Sequence, residues 1–248
     1  MRLKLNPGKS ELIWFDRSSK LLQCTELSFS TSSSLLSPSS TVRDLGVILD
    51  STLSLKPHIA AISRACLFHL RRIRQLRTSL DSASLKTLIH CLILTRLDYC
   101  NSILYGLPES TLLPLTKILH QAARLCLGLL YRDHITPALC SLHWLPICER
   151  IRFKLALLMY KALTNHLPSY LSSMVTPCNS VKGRSSLRSA SAGKYVVPGT
   201  RLIFGRRSFT FAGPSIWNSL PPHVRNSLSE SVFRSKLKTY LFQSAYGS

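Results

Sequence analysis

Apolar residues in the middle of the chain recur at steps of three and four positions. Early in this region the apolar positions are Ile59, Ile62, Cys66, Leu70 and Ile73. This spacing predicts an amphipathic helix that buries one face. Arginines occupy other positions of the same segment, namely Arg64, Arg71, Arg72, Arg74 and Arg77. We therefore expect a helix with one apolar side and one arginine-rich side.

The remainder of residues 57–175 also shows helical periodicity. Asp81 and Ser82 are good N-cap residues, and the run after them is apolar on nearly every side up to Ile103. A helix that is apolar all round is normally enclosed, so this one is predicted to be the centre of a bundle. Further helices are predicted over residues 112–130 (with Pro114 in the first turn), 136–145, 147–164 and 231–242.

The first 56 residues have a different pattern. Short apolar runs with turn residues between them predict strands over residues 11–15, 24–29 and 42–49, the last broken by Gly46. Residues 28–40 are rich in serine and are predicted to be a loop. The sequence therefore predicts a small β-rich segment before the helices.

A Ser/Gly/Arg-rich linker is predicted over residues 176–194, and a basic extension over residues 195–248. Within the extension, residues 195–211 are predicted to form two short strands, and the next few residues a helical turn that carries Trp217. The predicted fold class is mainly α: a β-rich segment over residues 1–56, a helical bundle over residues 57–175, and a small α+β extension.

Charge narrows the range of partners. The chain has 32 Lys and Arg against 11 Asp and Glu, a formal net charge of +21. Residues 171–248 hold eleven of these cations and a single acid, Glu230. So strong a positive field favours a polyanion, with nucleic acid first and an acidic membrane surface second. A basic soluble protein without such a partner is the alternative.

The eight cysteines give little sign of a metal site. There is no Cys-x-x-Cys pair, and Cys140, His143 and Cys148 lack a fourth ligand at zinc spacing. Most cysteines lie in apolar runs, which predicts buried thiols. The start of the chain lacks the apolar segment of a secretory signal, and no apolar run is long enough for a membrane span. These patterns predict an intracellular protein, in the nucleus, the cytoplasm or both.

Four long strings carry a family resemblance. They are LGVILDSTLSLKPHI (Leu45–Ile59), LTRLDYCNSILYGLP (Leu94–Pro108), HITPALCSLHWLPICERIRFKLALLMYKAL (His134–Leu163) and FAGPSIWNSLPPHVR (Phe211–Arg225). The chain resembles the C-terminal part of a reverse transcriptase from LINE-type retrotransposons, which lack long terminal repeats. The resemblance implies a palm end, a thumb that holds the template–primer duplex, and a C-terminal extension that holds RNA or target DNA.

The resemblance also implies roles for particular residues. Leu45, Gly46 and Val47 would lie in the hairpin that grips the primer end. The catalytic carboxylates of the family belong to segments before residue 1, and no adjacent Asp-Asp pair occurs in this chain. Nucleotide transfer needs carboxylates that hold two divalent ions. We therefore expect no catalytic residue, no metal site and no cofactor here, with Mg²⁺ confined to the intact parent polymerase.

Other catalytic motifs are absent from the sequence. It contains no G-x-S-x-G elbow, no G-x-G-x-x-G loop and no phosphate loop. Asp98 lies within a predicted helix and is expected to cap or pair locally, whereas Asp44 and Asp50 are expected at turns and edges. The three tryptophans, Trp14, Trp144 and Trp217, could stack on bases but are expected mainly as core or interface anchors.

Basic side chains are the candidate binding residues for RNA or an RNA–DNA duplex. They are Arg64, Arg71, Arg74, Arg77, Lys182, Arg184, Arg188, Arg201, Arg206 and Arg207. No small-molecule substrate and no membrane partner is expected, and the oligomeric state stays open.

Three hypotheses follow for the chain as a whole. It is a truncated fragment that binds nucleic acid without catalysis, the 3′-terminal portion of an intact RNA-directed DNA polymerase, or a poorly folded pseudogene product. An open reading frame with an aromatic-x-Asp-Asp motif, directly upstream of the Met1 codon, would distinguish the second hypothesis from the first.

Overall fold

The computed structural model describes residues 6, 10–16, 29–30, 35–181 and 193–247. The chain forms two compact units, residues 1–65 and 66–248, with the boundary inside the first helix. Helices dominate the described residues, and the strands lie near the N-terminus. The prediction of a mainly α chain with a β-rich start is thereby confirmed. The finer domain boundaries stay a prediction.

The strands of the first unit are short. They are β1 Leu12–Ile13, β2 Phe29–Ser30, β3 Leu35–Leu36, β4 Pro38–Ser39, β5 Thr41–Asp44 and β6 Val47–Asp50. β1 pairs in parallel with β4, while β2 with β3 and β5 with β6 are antiparallel pairs. The serine-rich segment 28–40 was predicted as a loop, and this is wrong where it contributes β2, β3 and β4. Most of the predicted strand over residues 24–29 lies outside the described residues.

The best-formed element of this unit is the β5–β6 hairpin. Its register pairs Thr41 with Asp50 and Asp44 with Val47, which leaves two residues in the turn. Leu45 and Gly46 have φ values of 44° and 85°, and two consecutive positive φ angles are typical of a type I′ turn. The apolar segment 42–49 is therefore two paired strands rather than one interrupted strand.

Asp50 connects this hairpin to the first helix. Its carboxylate accepts hydrogen bonds from the Thr52 hydroxyl at 2.6 Å, from the Ser54 N–H at 2.9 Å and from the Leu55 N–H at 2.7 Å. Burial by itself would raise the pKa of Asp50, but these donors together outweigh burial and lower the pKa. The carboxylate is thus a structural acceptor, and the prediction of a turn residue at this position is confirmed.

Replacing Asp50 with alanine is expected to lower the free energy of unfolding by about 1–3 kcal/mol, since buried donors lose their acceptor. Urea denaturation at neutral pH measures the change. The exposed Asp44 at the other end of the hairpin is the matched control, and Asp44→Ala should change stability by less than about 0.5 kcal/mol.

The lowered pKa of Asp50 fixes the sign of a pH effect. A carboxyl group that binds its proton less tightly when folded stabilises the fold above its ordinary pKa, and that contribution is lost as pH falls through the folded value. The Asp50→Asn variant should therefore lose less stability on acidification than the wild type. Identical acid titrations of both proteins would contradict this assignment.

The helices account for most of the remaining chain. They are α1 Lys56–Leu76, α2 Ser82–Ile89, α3 Thr95–Asp98, α4 Glu109–Leu127, α5 Ile135–Ser141, α6 Ile147–Leu163, α7 Ser169–Ser172, α8 Phe209–Ser219, α9 Pro222–Arg225 and α10 Glu230–Tyr246. A π-helical turn, His90–Leu94, joins α2 to α3 without a break. Short 3-10 turns are Arg77–Ser79, Asn101–Leu104, Cys178–Ser180 and Phe204–Arg207.

Several helix predictions are confirmed and some need correction. Asp81 caps α2, because its side chain accepts from the N–H groups of Ala83 and Ser84. The apolar run after it does not reach Ile103 as a helix, since α3 ends at Asp98 and Cys100 adopts a left-handed conformation. Pro114 lies in the second turn of α4 rather than the first, because that helix begins at Glu109.

The predicted central helix is also wrong. The α2–α3 segment buries one side only, and Cys91 and Arg96 on it are exposed. The helix enclosed on more sides is α6, which packs against α8 and α10. Six of its residues are buried: Ile147, Ile151, Leu155, Ala156, Met159 and Tyr160. The core of the second unit therefore forms around α6.

An aromatic cluster joins the C-terminal helices to α6. Tyr160 stacks on Phe233 with 4.4 Å between ring centroids, and Phe233 lies 5.8 Å from Trp217. The Trp217 indole is fully buried and donates to the Gly193 carbonyl at 2.9 Å. The closeness of α8 to α6 depends on Gly213, where a Cβ atom would lie 2.7 Å from the Met159 sulfur. The last helix, α10, therefore packs against α6.

The extension contains no strand among its described residues, 195–247, so the α+β prediction for it is wrong. Tyr195 forms a single β-bridge with Pro177, and residues 204–207 and 209–219 are helical instead. The Asn218 side chain holds Tyr195 in place by accepting its N–H at 3.0 Å and donating to its carbonyl at 2.7 Å. Side-chain anchoring thus replaces the predicted sheet.

The cysteine prediction holds for part of the set. Cys66, Cys126 and Cys178 are buried, whereas Cys91 and Cys148 are exposed. Burial raises the pKa of the Cys66 and Cys126 thiols to about 11, as expected of inert core cysteines. Among the described residues, no helix combines the length and the apolar character needed to cross a membrane.

Candidate functional site

The predicted binding residues are exposed, half exposed or outside the described residues. Arg64, Arg71, Arg74 and Arg77 are exposed on or just after α1, and Arg201 and Arg206 are exposed before α8. Arg207 is only half exposed. Lys182, Arg184 and Arg188 lie outside the described residues.

We use the term arginine cluster for Arg71, Arg72 and Arg74, which are exposed near the end of α1. The Arg72 guanidinium lies over the Phe68 ring at 5.7 Å, and this ring is 56% exposed. The sequence of α1 contains no Asp or Glu. In the part of the chain that the structure describes, none of the ion pairs includes one of these arginines. No carboxylate of the described residues therefore neutralises their positive charge.

Two of the predicted arginines have structural contacts as well. The Arg77 guanidinium packs against Gly128, the residue that ends α4 with a φ of 72°. A cation near a helix C-terminus is favourable because carbonyl groups there carry partial negative charge. Arg207 packs against Gly106 and lies over the Phe204 ring at 5.7 Å. Both arginines thus belong to the packing of the second unit.

The acidic residues singled out in the sequence have structural contacts. Asp98 accepts from the nearby Asn101 amide at 3.4 Å, which confirms the prediction of a local partner. It also forms an ion pair with Arg150 at 2.7 Å across 52 residues of sequence, which was not predicted. Asp44 pairs with Val47 beside the hairpin turn, as expected for a turn residue. Leu45, proposed for a primer grip, is 83% exposed at that turn, whereas Val47 is buried. Within the described residues, no three His, Cys, Asp or Glu side chains converge on a point that could hold a metal.

The structure also reveals a groove that sequence reasoning missed. It consists of three adjoining hollows of about 360, 500 and 490 Å³, all lined by His143. One hollow is bounded by α2, one by α6 and one by α10, and all three belong to the second unit. We call this feature the basic groove. Its cationic lining residues are Lys86, Arg150, Lys154, Arg234 and Lys238.

The charge of the basic groove is strongly positive. Of the described residues that line it, the single carboxylate is Asp98, which is already paired with Arg150. Arg234 lies 3.8 Å from Glu230 on the same helix. Among the described residues, no carboxylate pairs with Lys86, Lys154 or Lys238. Such a groove attracts anions.

His143 lies at the junction of the hollows in an unusual backbone conformation. It follows α5 with a φ of 52°. Its N–H donates to the Cys140 carbonyl, and the Trp144 N–H donates to the Leu139 carbonyl, both at 3.0 Å. These bonds define a Schellman motif, in which the left-handed position is usually glycine. A side chain there costs on the order of 1 kcal/mol, and here it places an exposed imidazole in the groove.

Sequence reasoning missed this groove because its parts are far apart in the chain. Its cations lie near residues 86, 150 and 234, and each resembles an ordinary solvated charge when taken alone. One signal was available, namely a histidine at the position after a helix where glycine is the common residue. Trp144 beside it is half-buried against the groove, whereas Trp217 is core and Trp14 is 45% exposed.

Comparison with protein-family models, with curated proteins and with solved structures finds no match to this chain. The resemblance to retrotransposon polymerases therefore rests on the four strings quoted above.

Proposed function

We propose that this chain binds an RNA–DNA duplex through phosphate contacts and carries out no nucleotide transfer. We further propose that it is related to the thumb and C-terminal extension of a LINE-type reverse transcriptase, on the basis of the four strings. The observation that carries the binding proposal is the arginine cluster, which is exposed on a helix without acidic residues. Guanidinium groups bind phosphate oxygens in bidentate fashion.

The mode of binding follows from the kind of contact. Arginines on the outside of a helix can reach phosphates without reading base edges, so binding would be independent of sequence. The hairpin at Leu45 and the exposed Arg201 and Arg206 would be further contacts. The proposal assigns no step to a metal and no role to a catalytic carboxylate.

A salt titration tests the proposal. Fluorescence anisotropy of a labelled RNA–DNA duplex should show binding at low salt, with log K falling linearly against log salt concentration. Four or more phosphate contacts predict a slope steeper than about −3. Duplexes of unrelated sequence should bind alike. A slope near zero, or no binding at 50 mM salt, would be evidence against phosphate-mediated binding.

A further inference from the structure

We propose that the basic groove binds an unpaired stretch of nucleic acid, as a second site distinct from the arginine cluster. The proposal rests on the proposed function in one respect, namely that the partner is nucleic acid. It adds the form of the ligand, a single strand, and the residues that hold it. Shape, aromatic lining, charge and one unpartnered polar atom support it.

The shape of the groove suits a chain-like ligand. Its three hollows meet at His143 and extend from Lys86 on α2 to Gln243 on α10. A small anion would occupy one hollow only. A flexible polyanion can follow all three, and an unpaired strand is flexible enough to do so, whereas a duplex is stiff over this scale.

Aromatic rings line the groove together with its cations. Trp144, Phe153 and Phe242 are half-buried lining residues, and the His143 ring lies 5.6 Å from the Phe242 ring. Bases stack on such rings only when they are not already stacked inside a duplex. A basic groove that also carries aromatic rings is the arrangement that proteins use for single strands.

The free cations of the groove match a phosphate backbone. Lys86, Lys154 and Lys238 come from three different helices and bear no carboxylate partner in the part of the chain that the structure describes. An ammonium group contacts a phosphate as a point charge and tolerates many geometries. Sequence-independent binding of a flexible strand needs this tolerance.

One polar atom at the groove has no partner. Asn101, a lining residue of the groove, is 3% exposed, and its side-chain oxygen has no hydrogen bond, whereas its amide nitrogen donates to Asp98 at 3.4 Å. A buried acceptor without a donor is costly. A base amino group with both of its N–H bonds free, as in an unpaired strand, is a donor of the kind that this oxygen lacks.

An acidic peptide is the competing occupant, since it would also satisfy the lysines. It offers no planar rings to stack on Trp144, Phe153 and Phe242, which is why the lining favours nucleic acid. The experiment below therefore includes polyglutamate as a competitor.

The first test compares charge variants. A labelled 12-nucleotide RNA without secondary structure and an RNA–DNA duplex are titrated with Lys154→Gln/Lys238→Gln. A control removes the same charge at two exposed lysines that are not lining residues of the groove, Lys56→Gln/Lys117→Gln. The groove variant should bind the single strand about 10- to 100-fold more weakly, with a salt slope shallower by about 1.4, since each contact to a single strand contributes about 0.7. It should bind the duplex within about 3-fold of the control.

The second test separates ligand contact from folding. His143→Gly relieves the left-handed backbone and removes the imidazole, so it should unfold at an equal or higher denaturant concentration and bind the single strand about 3-fold more weakly. Trp144→Leu should weaken single-strand binding about 5- to 100-fold while leaving the salt slope unchanged.

The outcomes distinguish this inference from the proposed function. If the chain binds the duplex but the groove variants leave single-strand binding unchanged, the groove proposal is wrong and the proposed function stands. Failure of both ligands to bind overturns both proposals. Competition by polyglutamate that equals competition by unlabelled RNA of the same charge overturns the stacking argument and assigns the groove to acidic peptides.

Discussion

Replacing Trp217 with alanine is expected to lower the free energy of unfolding by about 3–5 kcal/mol, because a fully buried indole leaves a large cavity. The substitution removes specific contacts as well as side-chain volume. The indole packs against Phe233 and Tyr195, and its N–H satisfies the Gly193 carbonyl. Urea denaturation followed by far-UV circular dichroism measures the loss. It also tests whether the chain unfolds cooperatively, which a poorly folded product would not do.

Trp14 provides the matched control, since the same substitution is made at a residue that is 45% exposed. Trp14→Ala should cost less than about 1 kcal/mol. Similar losses for the two variants would contradict the assignment of Trp217 to the core. A broad transition without a baseline in the wild type would favour the pseudogene hypothesis instead.

Removing the arginine cluster is expected to weaken duplex binding by about two orders of magnitude near 0.1 M salt. The variant is Arg71→Gln/Arg72→Gln/Arg74→Gln. Each arginine that neutralises a phosphate releases about 0.9 of a counterion, so the slope of log K against log salt should become shallower by about three. Anisotropy titrations at four salt concentrations measure both quantities.

The control for this variant removes three exposed cations elsewhere: Lys56→Gln/Lys117→Gln/Arg132→Gln. Net charge falls equally in both proteins, so a general effect of the positive field should appear equally in both. If the control binds as weakly as the cluster variant, binding depends on net charge and the arginine cluster is not a specific contact surface. Single-strand binding should be affected less than duplex binding by the cluster variant.

Local sequence features predicted the helices well. The three- and four-residue spacing from Ile59 to Ile73 gives α1, and Asp81 caps α2 as its side-chain chemistry requires. The positions Phe233, Leu237 and Leu241 are all buried on α10. In each of these patterns, successive positions are two to four residues apart. The local sequence therefore contains the information directly.

Features that depend on distant packing were not predictable. The apolar run after Asp81 suggested a central helix, but α6 holds that position because α8 and α10, about 60 and 80 residues further along the chain, pack against it. Residues 195–211 were predicted to form two short strands, yet Phe211 and Ala212 donate to the Ser208 carbonyl as the first turn of α8. Tertiary packing decided both cases against local preference.

Of the two candidate sites, one could be predicted from local sequence and the other could not. Exposure of the arginine cluster follows from the helical period of α1 and could be predicted. The basic groove requires α2, α6 and α10 to meet, and the pairing of Asp98 with Arg150 spans 52 residues. No local pattern carries that information, and only the unusual His143 backbone marks the place.

The π-helical turn His90–Leu94 constrains the number of residues in the segment that contains it. Buried residues around it, Leu85, Ile89, Ile93 and Leu97, follow each other at steps of four. On an uninterrupted α-helix each such step drifts by about 40°, so the last residue would leave the buried side. The wider turn absorbs part of this drift. Deletion of one residue here would rotate Asp98 away from Arg150, so the spacing of this segment is as constrained as its composition.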